Sequence, residues 1–195
     1  RLVDQAVRMS TNVKNRQTRV QDKSLETLEK KIEDEHLLDH KALLLLLDDD
    51  NNIPAEVRGL IANKFMAKYQ RPCCLLTKGD KNGVPMYQGS ARGCSLAGVD
   101  DFKQICQDSK AIEYAVGHPN AFGLGIPVET VDDFIAKTDA SLADMTDEPQ
   151  YYVDFIFDGQ HIDEDTIYTI ANMEEFWGQN MDEPYIAIKG LKVTA

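Results

Sequence analysis

The tract that most limits the possible folds is Leu43-Leu44-Leu45-Leu46-Leu47, which ends in Asp48-Asp49-Asp50-Asn51-Asn52. A short continuous apolar run bounded by a polar loop reads as a buried strand. Ile53-Pro54 then opens a helix from Ala55 to Tyr69, with Val57, Leu60, Ile61, Phe65 and Met66 on one side. Pro72 to Thr77 is the next strand. Strand, helix and strand in so short a span make a βαβ unit, whose two strands run parallel. The expected class is therefore α/β, a mixed sheet with flanking helices.

The remaining elements follow from the same patterns. Asp80-Lys81-Asn82-Gly83 is a turn, and Pro85 to Gln88 a third strand. That strand leads into Gly89-Ser90-Ala91-Arg92-Gly93, read as a tight turn. Val99 to Ser109 is a helix, and Ala111 to Val116 leads to Gly117-His118, read as a second turn. Ala121 to Pro127 is a strand, and Val128 to Ala143 a helix with Val131, Phe134, Ile135 and Leu142 inward. In front, residues 1–35 form a long helix whose apolar stripe is thin between Met9 and Val20. The expected organisation is a connecting helix over 1–38, a domain over 39–146 and a small β-rich appendage over 151–195. In the appendage the spacing places a strand at Tyr152–Phe157, a helix at Asp163–Met173 and a strand at Tyr185–Val193. The chain opens on Arg1 rather than Met, as an excised piece does.

Net charge is −12, which argues against unspecific nucleic-acid binding by the whole surface. The sign is unevenly spread. Residues 1–24 hold six basic and two acidic side chains, residues 25–50 three and nine, residues 51–118 nine and six, and residues 119–195 three and sixteen. Positive potential is confined to the first helix and the middle of the chain. Cys73, Cys74, Cys94 and Cys106 have no Cys-x-x-Cys spacing, so buried reduced thiols are expected rather than zinc or disulfides. No stretch reaches the ~18 apolar residues of a membrane span. No signal pattern appears, and a cytoplasmic protein without membrane contact is expected.

Chemistry concentrates between Gly89 and Gly125. A glycine-flanked Ser90-x-Arg92 supplies a hydroxyl, a guanidinium and open backbone N–H groups, the parts that hold a phosphate. Gly117-His118 adds an imidazole. Elsewhere, His36 and His40 are spaced i, i+4 but lack a third ligand, so two exposed histidines at a helix end are expected and no metal site. Asp48-Asp49-Asp50 reads as a solvated turn.

The order of these motifs resembles the C-terminal half of the RecJ-type single-strand-specific exonucleases, a branch of the DHH phosphoesterase superfamily. Lys14-Asn15-Arg16-Gln17 is similar to the family's Leu-Asn-x-x-Arg-Gln on its connecting helix. Ile53-Pro54 through Tyr69-Gln70-Arg71-Pro72 resembles its His-Pro-Gly-Val-x-Gly stretch and Tyr-x-Arg-Pro. Gly89-Ser90-x-Arg92 and Gly117-His118-x-x-Ala121-x-Gly123 resemble Gly-Ser-x-Arg and Gly-Gly-His-x-x-Ala-Ala-Gly. Phe176-Trp177-Gly178-Gln179-Asn180-Met181-Asp182-Glu183-Pro184 resembles the Pro-Phe-Gly-x-Gly-Asn-Pro-x-Pro loop that opens an OB-type domain. Ile53 and Val116 depart from the family pattern and mark a divergent, phage-like member.

The resemblance implies 5′-to-3′ degradation of single-stranded DNA, with Mn²⁺ or Mg²⁺ in an N-terminal catalytic half that this chain lacks, and no cofactor in the chain. It implies that Arg92 clamps a phosphate with Ser90 and the Gly89 and Gly117 backbone. Asn15 reaches the same phosphate from the helix. His118 is the catalytic candidate beside the scissile group. Trp177 and Tyr87 are the leading base-stacking candidates, with Tyr114 and Phe122 weighed beside them and core packing favoured for Phe122. Partners would be single-stranded DNA, the catalytic half, and replication or recombination proteins. Two other readings stay open: a small-substrate phosphodiesterase, and a non-catalytic single-strand-binding module.

Overall fold

The computed structural model describes residues 2–48, 53–146, 148–161, 163–178, 181 and 183–192. Of the tracts weighed above, Asp49 to Asn52, Gln179, Asn180, Asp182 and Val193 lie outside the described residues. The chain divides into two units, Arg1–Pro149 and Gln150–Ala195.

The first unit is built on five described strands in the order β1-β2-β3-β5-β4. Strand β1 (Leu43–Leu47) pairs in parallel with β2 (Cys73–Lys81), Leu43 opposite Cys73 and Leu47 opposite Thr77. Helix α2 (Ala55–Tyr69) is the crossover between them, as the leucine run requires. The other pairings are antiparallel: β2 with β3 (Val84–Arg92), β3 with β5 (Ala121–Pro127), and β5 with β4 (Tyr114–His118). The sheet is therefore mixed, with its parallel pair at one edge and β4 at the other.

Each face carries its own core. On one, Leu28 and Ile32 of α1 (Leu2–Asp34) and Val57, Ile61, Ala62 and Phe65 of α2 cover Leu43, Leu45, Leu47, Cys73 and Leu75. On the other, Phe102 and Cys106 of α3 (Phe102–Asp108) and Phe134 of α4 (Val131–Ser141) cover Leu44, Cys74, Leu76, Ala91, Phe122, Leu124 and Ile126. Alternate residues of one strand feed opposite cores, which is why the leucine run has no polar positions. Leu60 departs from expectation and is exposed. The buried stripe of α2 runs through 57, 61 and 65 with Ala62 beside it, and Leu60 lies a quarter-turn off on the other side.

Two segments clip the sheet to its helices. Asp139 of α4 accepts from His40 Nδ1 (2.7 Å) and from the Lys41 backbone N–H (2.8 Å). Arg71 Nη1 donates to the Leu38 and His40 carbonyls at 2.7 and 2.6 Å. His40 is thus a half-buried structural partner, not the free exposed histidine expected. The long helix α1 buries only its C-terminal part. Through Arg16 every described residue is exposed, including Leu2, Val3, Val7, Met9 and Val13. Among the described residues no helix is long and apolar enough to cross a membrane.

In the second unit, β6 (Phe155–Asp158) and β7 (Ile186–Lys189) pair in parallel on either side of α5 (Glu164–Ala171). Asp163 caps α5 by accepting from the Thr166 N–H at 3.2 Å. Helix and strand contribute alike among its described residues, so this unit is less β-rich than its sequence suggests.

Candidate functional site

Strand β3 occupies the centre of the sheet and extends to Arg92, well past the Gln88 end expected for it. Ser90-x-Arg92 is therefore not a turn. Ser90 lies opposite Leu75 on one side and Gly123 on the other, and Arg92 opposite Cys73 and Ala121. With neighbours on both sides, the backbone N–H groups of Gly89 to Arg92 go to the ladders. They do not form the open anion-binding turn that the glycines suggested. Gly89 serves close strand approach instead, since a Cβ there would overlap the Leu75 carbonyl oxygen. What a ligand meets here is side chains.

Register assigns those side chains to faces. Cys73, Arg92, Ala121 and His118 are successive partners across β2, β3, β5 and β4. They form one row on one face, the face whose core is closed by α1 and α2. Two strand spacings separate Arg92 from His118 at the backbone, about 10 Å, with only the Ala121 methyl between them. Ser90 and Gly123 belong to the next row on the same face, with Val116 beyond. The α1–α2 core ends at β2. Past it, His118 and Ala121 are exposed and Val116 is 71% exposed.

Arg92 is held at the border of that open area. A Cβ on Gly59 of α2 would overlap Arg92 Nη2, so the glycine lets the guanidinium lie against the helix, near Ser90 Oγ. Nη1 donates to the Ala91 carbonyl at 2.7 Å. Partial burial lowers the guanidinium pKa from its usual value. Among the described residues no carboxylate pairs with Arg92. A half-buried, unpaired cation is expensive unless an anion joins it.

His118 ends β4, one residue after Gly117, whose φ is +140°. The turn is not Gly117-His118 but Pro119-Asn120, between the paired His118 and Ala121. Its anchoring was not legible as function in the sequence. Asn120 Oδ1 accepts from the Phe102 N–H (3.1 Å), and Nδ2 donates to the Val99 and Asp100 carbonyls (3.0 Å each) and to Ser95 Oγ (3.1 Å). The Asn120 carbonyl accepts from the Gly93 N–H at 3.1 Å. Lys103 donates its N–H to the Pro119 carbonyl (2.9 Å) and its Nζ to the Gly117 carbonyl (2.8 Å).

The remaining candidates scatter. Tyr87 lies on the opposite face from Arg92, packed against the α3–α4 core with its hydroxyl 3.4 Å from Asp48 Oδ1. Alternation along β3 makes this unavoidable, since 87 and 92 differ in parity. Phe122 is core, tilted against Phe102 at 5.9 Å between ring centroids. Tyr114 is on the Arg92 face, its ring over Gly125 and 4.5 Å from Lys81 Nζ. Asn15 lies on the exposed part of α1 with no partner among the described residues. Trp177, in the second unit, lines a groove with Ile167, Ile170, Pro184 and Ile186. Among the described residues no three His, Cys, Asp or Glu side chains gather as a metal site.

No known family profile matches the chain. Over 191 residues, 97% of the chain, it is 26% identical to two proteins provisionally named as single-strand DNA-specific exonucleases. One is the SPbeta prophage-derived YorK of Bacillus subtilis strain 168, the other yorK of Bacillus phage SPbeta. The chain spans 33% of the length of these relatives. In fold it is similar to RecJ from Thermus thermophilus, a crystal structure described as a complex with Mn²⁺. The TM-score is 0.59 at 18% identity, over 84% of this chain and 23% of that one. The resemblance carried by the four motif blocks is thus met in sequence relatives of phage origin and, separately, in fold.

Proposed function

We propose that this chain is the substrate-binding portion of a metal-dependent 5′-to-3′ exonuclease for single-stranded DNA, the metal-binding catalytic half lying elsewhere in the intact protein. The observation that carries the reading is Arg92. It is a half-buried guanidinium with no carboxylate partner among the described residues, lying against α2 beside Ser90 and at the border of the open part of the same face, where Ala121 and His118 are exposed. The fork of Arg92 suits two oxygens of one phosphate, and Ser90 Oγ adds a donor beside it. Ala121 and Gly123 leave a low floor that admits a sugar–phosphate backbone. His118, at one end of the row, donates a hydrogen bond to the oxygen that leaves or helps protonate it. When bound in the catalytic half, the metal ions supply activation of water for attack on phosphorus.

The finer assignments belong to the same reading. Residues 1–38 connect the two halves and bring Asn15 to the phosphate. Residues 39–146 form the substrate-binding domain. Residues 151–195 open an OB-type domain in which Trp177 stacks on a base.

The test is kcat/KM of the intact protein on a 5′-phosphorylated oligonucleotide. Arg92→Ala should lower it about 10- to 100-fold, the worth of a charged hydrogen bond to phosphate. Arg92→Lys should rescue poorly, because an ammonium lacks the fork. Lys137→Ala, which removes an exposed partner of Asp133, is the control. Arg58 and Lys103 are unsuitable controls, since they bond the Ile53 and Gly117 carbonyls. Wild-type turnover by Arg92→Ala would end this reading. Cleavage of dinucleotides in preference to the oligonucleotide would select the small-substrate alternative.

A further inference from the structure

We infer that Asn120, assisted by Lys103, is a positioning residue that holds His118 at a set span from Arg92. The inference rests on the function proposed above. Two hairpins of the same sheet make the contrast. In the first, Asn82 (φ 57°) and Gly83 (φ 84°) join β2 to β3. Positive φ at both central residues is the turn whose twist matches the strands, so this hairpin is locally self-sufficient.

In the second, Pro119 and Asn120 join β4 to β5, and neither has a positive φ. A two-residue turn of that kind opposes the strand twist. Gly117 absorbs part of the mismatch at φ +140°, a value that L side chains rarely adopt. The rest is met from outside the hairpin. Both ends of the Asn120 amide are used on the segment Ser95–Phe102 that follows β3, the oxygen by one N–H and the two hydrogens of the NH2 shared among three acceptors. The pairing also fixes which end of the amide is oxygen, because an N–H faces one atom and carbonyls face the other.

Its location gives this anchor a functional consequence. Asn120 is two residues from His118, and its carbonyl takes the N–H of Gly93, the residue after Arg92. A Cβ on Gly93 would overlap Asn120 Oδ1, so that glycine makes room for the amide. The ends of β3 and β4, which carry Arg92 and His118, are thus tied together through one residue, by its backbone carbonyl at Gly93 and its side chain on the segment Ser95–Phe102. Lys103 adds a second tie, at the Gly117 carbonyl. If one phosphodiester spans both groups, the span must hold to within about 1 Å for a proton to reach the leaving oxygen.

The experiment is a double-mutant cycle on the intact protein with a 5′-phosphorylated oligonucleotide. Asn120→Ala should lower kcat about tenfold or more with KM changed by less than about threefold, the mark of an interaction used in the transition state. In a His118→Ala background the same change should lower kcat less than about twofold, because Asn120 acts through His118. Lys103→Met, at the surface, should show a smaller loss with the same dependence on His118, and carries the test if Asn120→Ala does not fold. Equal factors in the two backgrounds would make Asn120 merely structural and overturn the inference, as would unchanged kcat in both variants. Arg92→Ala, run in parallel, separates the failures. An impaired Arg92→Ala with neutral Asn120→Ala and Lys103→Met defeats only the positioning role, whereas a fully active Arg92→Ala defeats the function beneath it.

Discussion

Gly59 and Arg92 illustrate how much one missing side chain decides. The guanidinium rests where a Cβ would be, and it is the far end of a flexible side chain, so it moves aside cheaply. Gly59→Ala should therefore leave the fold intact, or stabilise it by about 0.5–1 kcal/mol through helix propensity. Activity of the intact protein should nonetheless fall about 10- to 100-fold as Arg92 is displaced. Thermal unfolding and kcat/KM on the same preparation check this; full activity would show that Arg92 need not lie there. The cysteines make a different point. All four are free and buried, and burial pushes the Cys74 thiol up to about 12. In the unfolded chain a thiol ionises near ~8.5. Above that pH the unfolded state binds fewer protons than the folded one, so stability falls as pH rises from about 8.5 towards 12 and is fully retained below. Urea midpoints at rising alkaline pH should decline more steeply for wild type than for Cys74→Ala. Parallel declines would contradict the buried-thiol account.

Among the elements, the entry to β1 is held by side chains rather than by the strand itself. Asp139 on α4 takes both the His40 ring and the Lys41 N–H, and Lys41 Nζ donates to the Met145 carbonyl at 3.3 Å. A partly buried carboxylate accepting two such bonds is worth about 1.5–3 kcal/mol. Asp139→Ala should cost that much in chemical denaturation. Hydrogen exchange at the Lys41 amide should rise while exchange at Leu45, deep in the ladder, tracks global unfolding. Unchanged protection at Lys41 would show that β1 is fixed without Asp139.

Viewed as a molecule, the chain distributes its core unequally. The first unit buries two apolar clusters, one on each face of its sheet. The second has no buried residue among those described, and exposes Tyr151, Tyr152, Tyr168, Phe176 and Tyr185. A unit this small with no buried residue among those described is expected to be unstable alone. A fragment ending at Pro149 should unfold cooperatively with a Tm within a few degrees of the whole chain, about 1 kcal/mol or less. Residues 150–195 alone should show no cooperative transition. A large loss of Tm on truncation would show that the second unit supports the first.

The βαβ unit was readable from residues 41–77, and the asymmetric charge and the motif order from the chain as a whole. Apolar runs, helical spacing and turn residues are local signals, and the leucine run could be satisfied only by burial on both faces. The Asn82-Gly83 turn was legible for the same reason. Three things were not. Ser90-x-Arg92 looked like a turn because glycine and serine favour turns, but partners on β2 and β5, remote in sequence, drew it into the central strand. That reassignment took its backbone amides away from any ligand and left the side chains. Tyr87 and Arg92 were separated by strand parity, which is set only once the register is set. Asn120 looked like an ordinary turn residue, because its partners at Ser95, Val99, Asp100 and Phe102 come within reach only when β5, paired with β3 on one side and β4 on the other, brings their ends to the same end of the sheet.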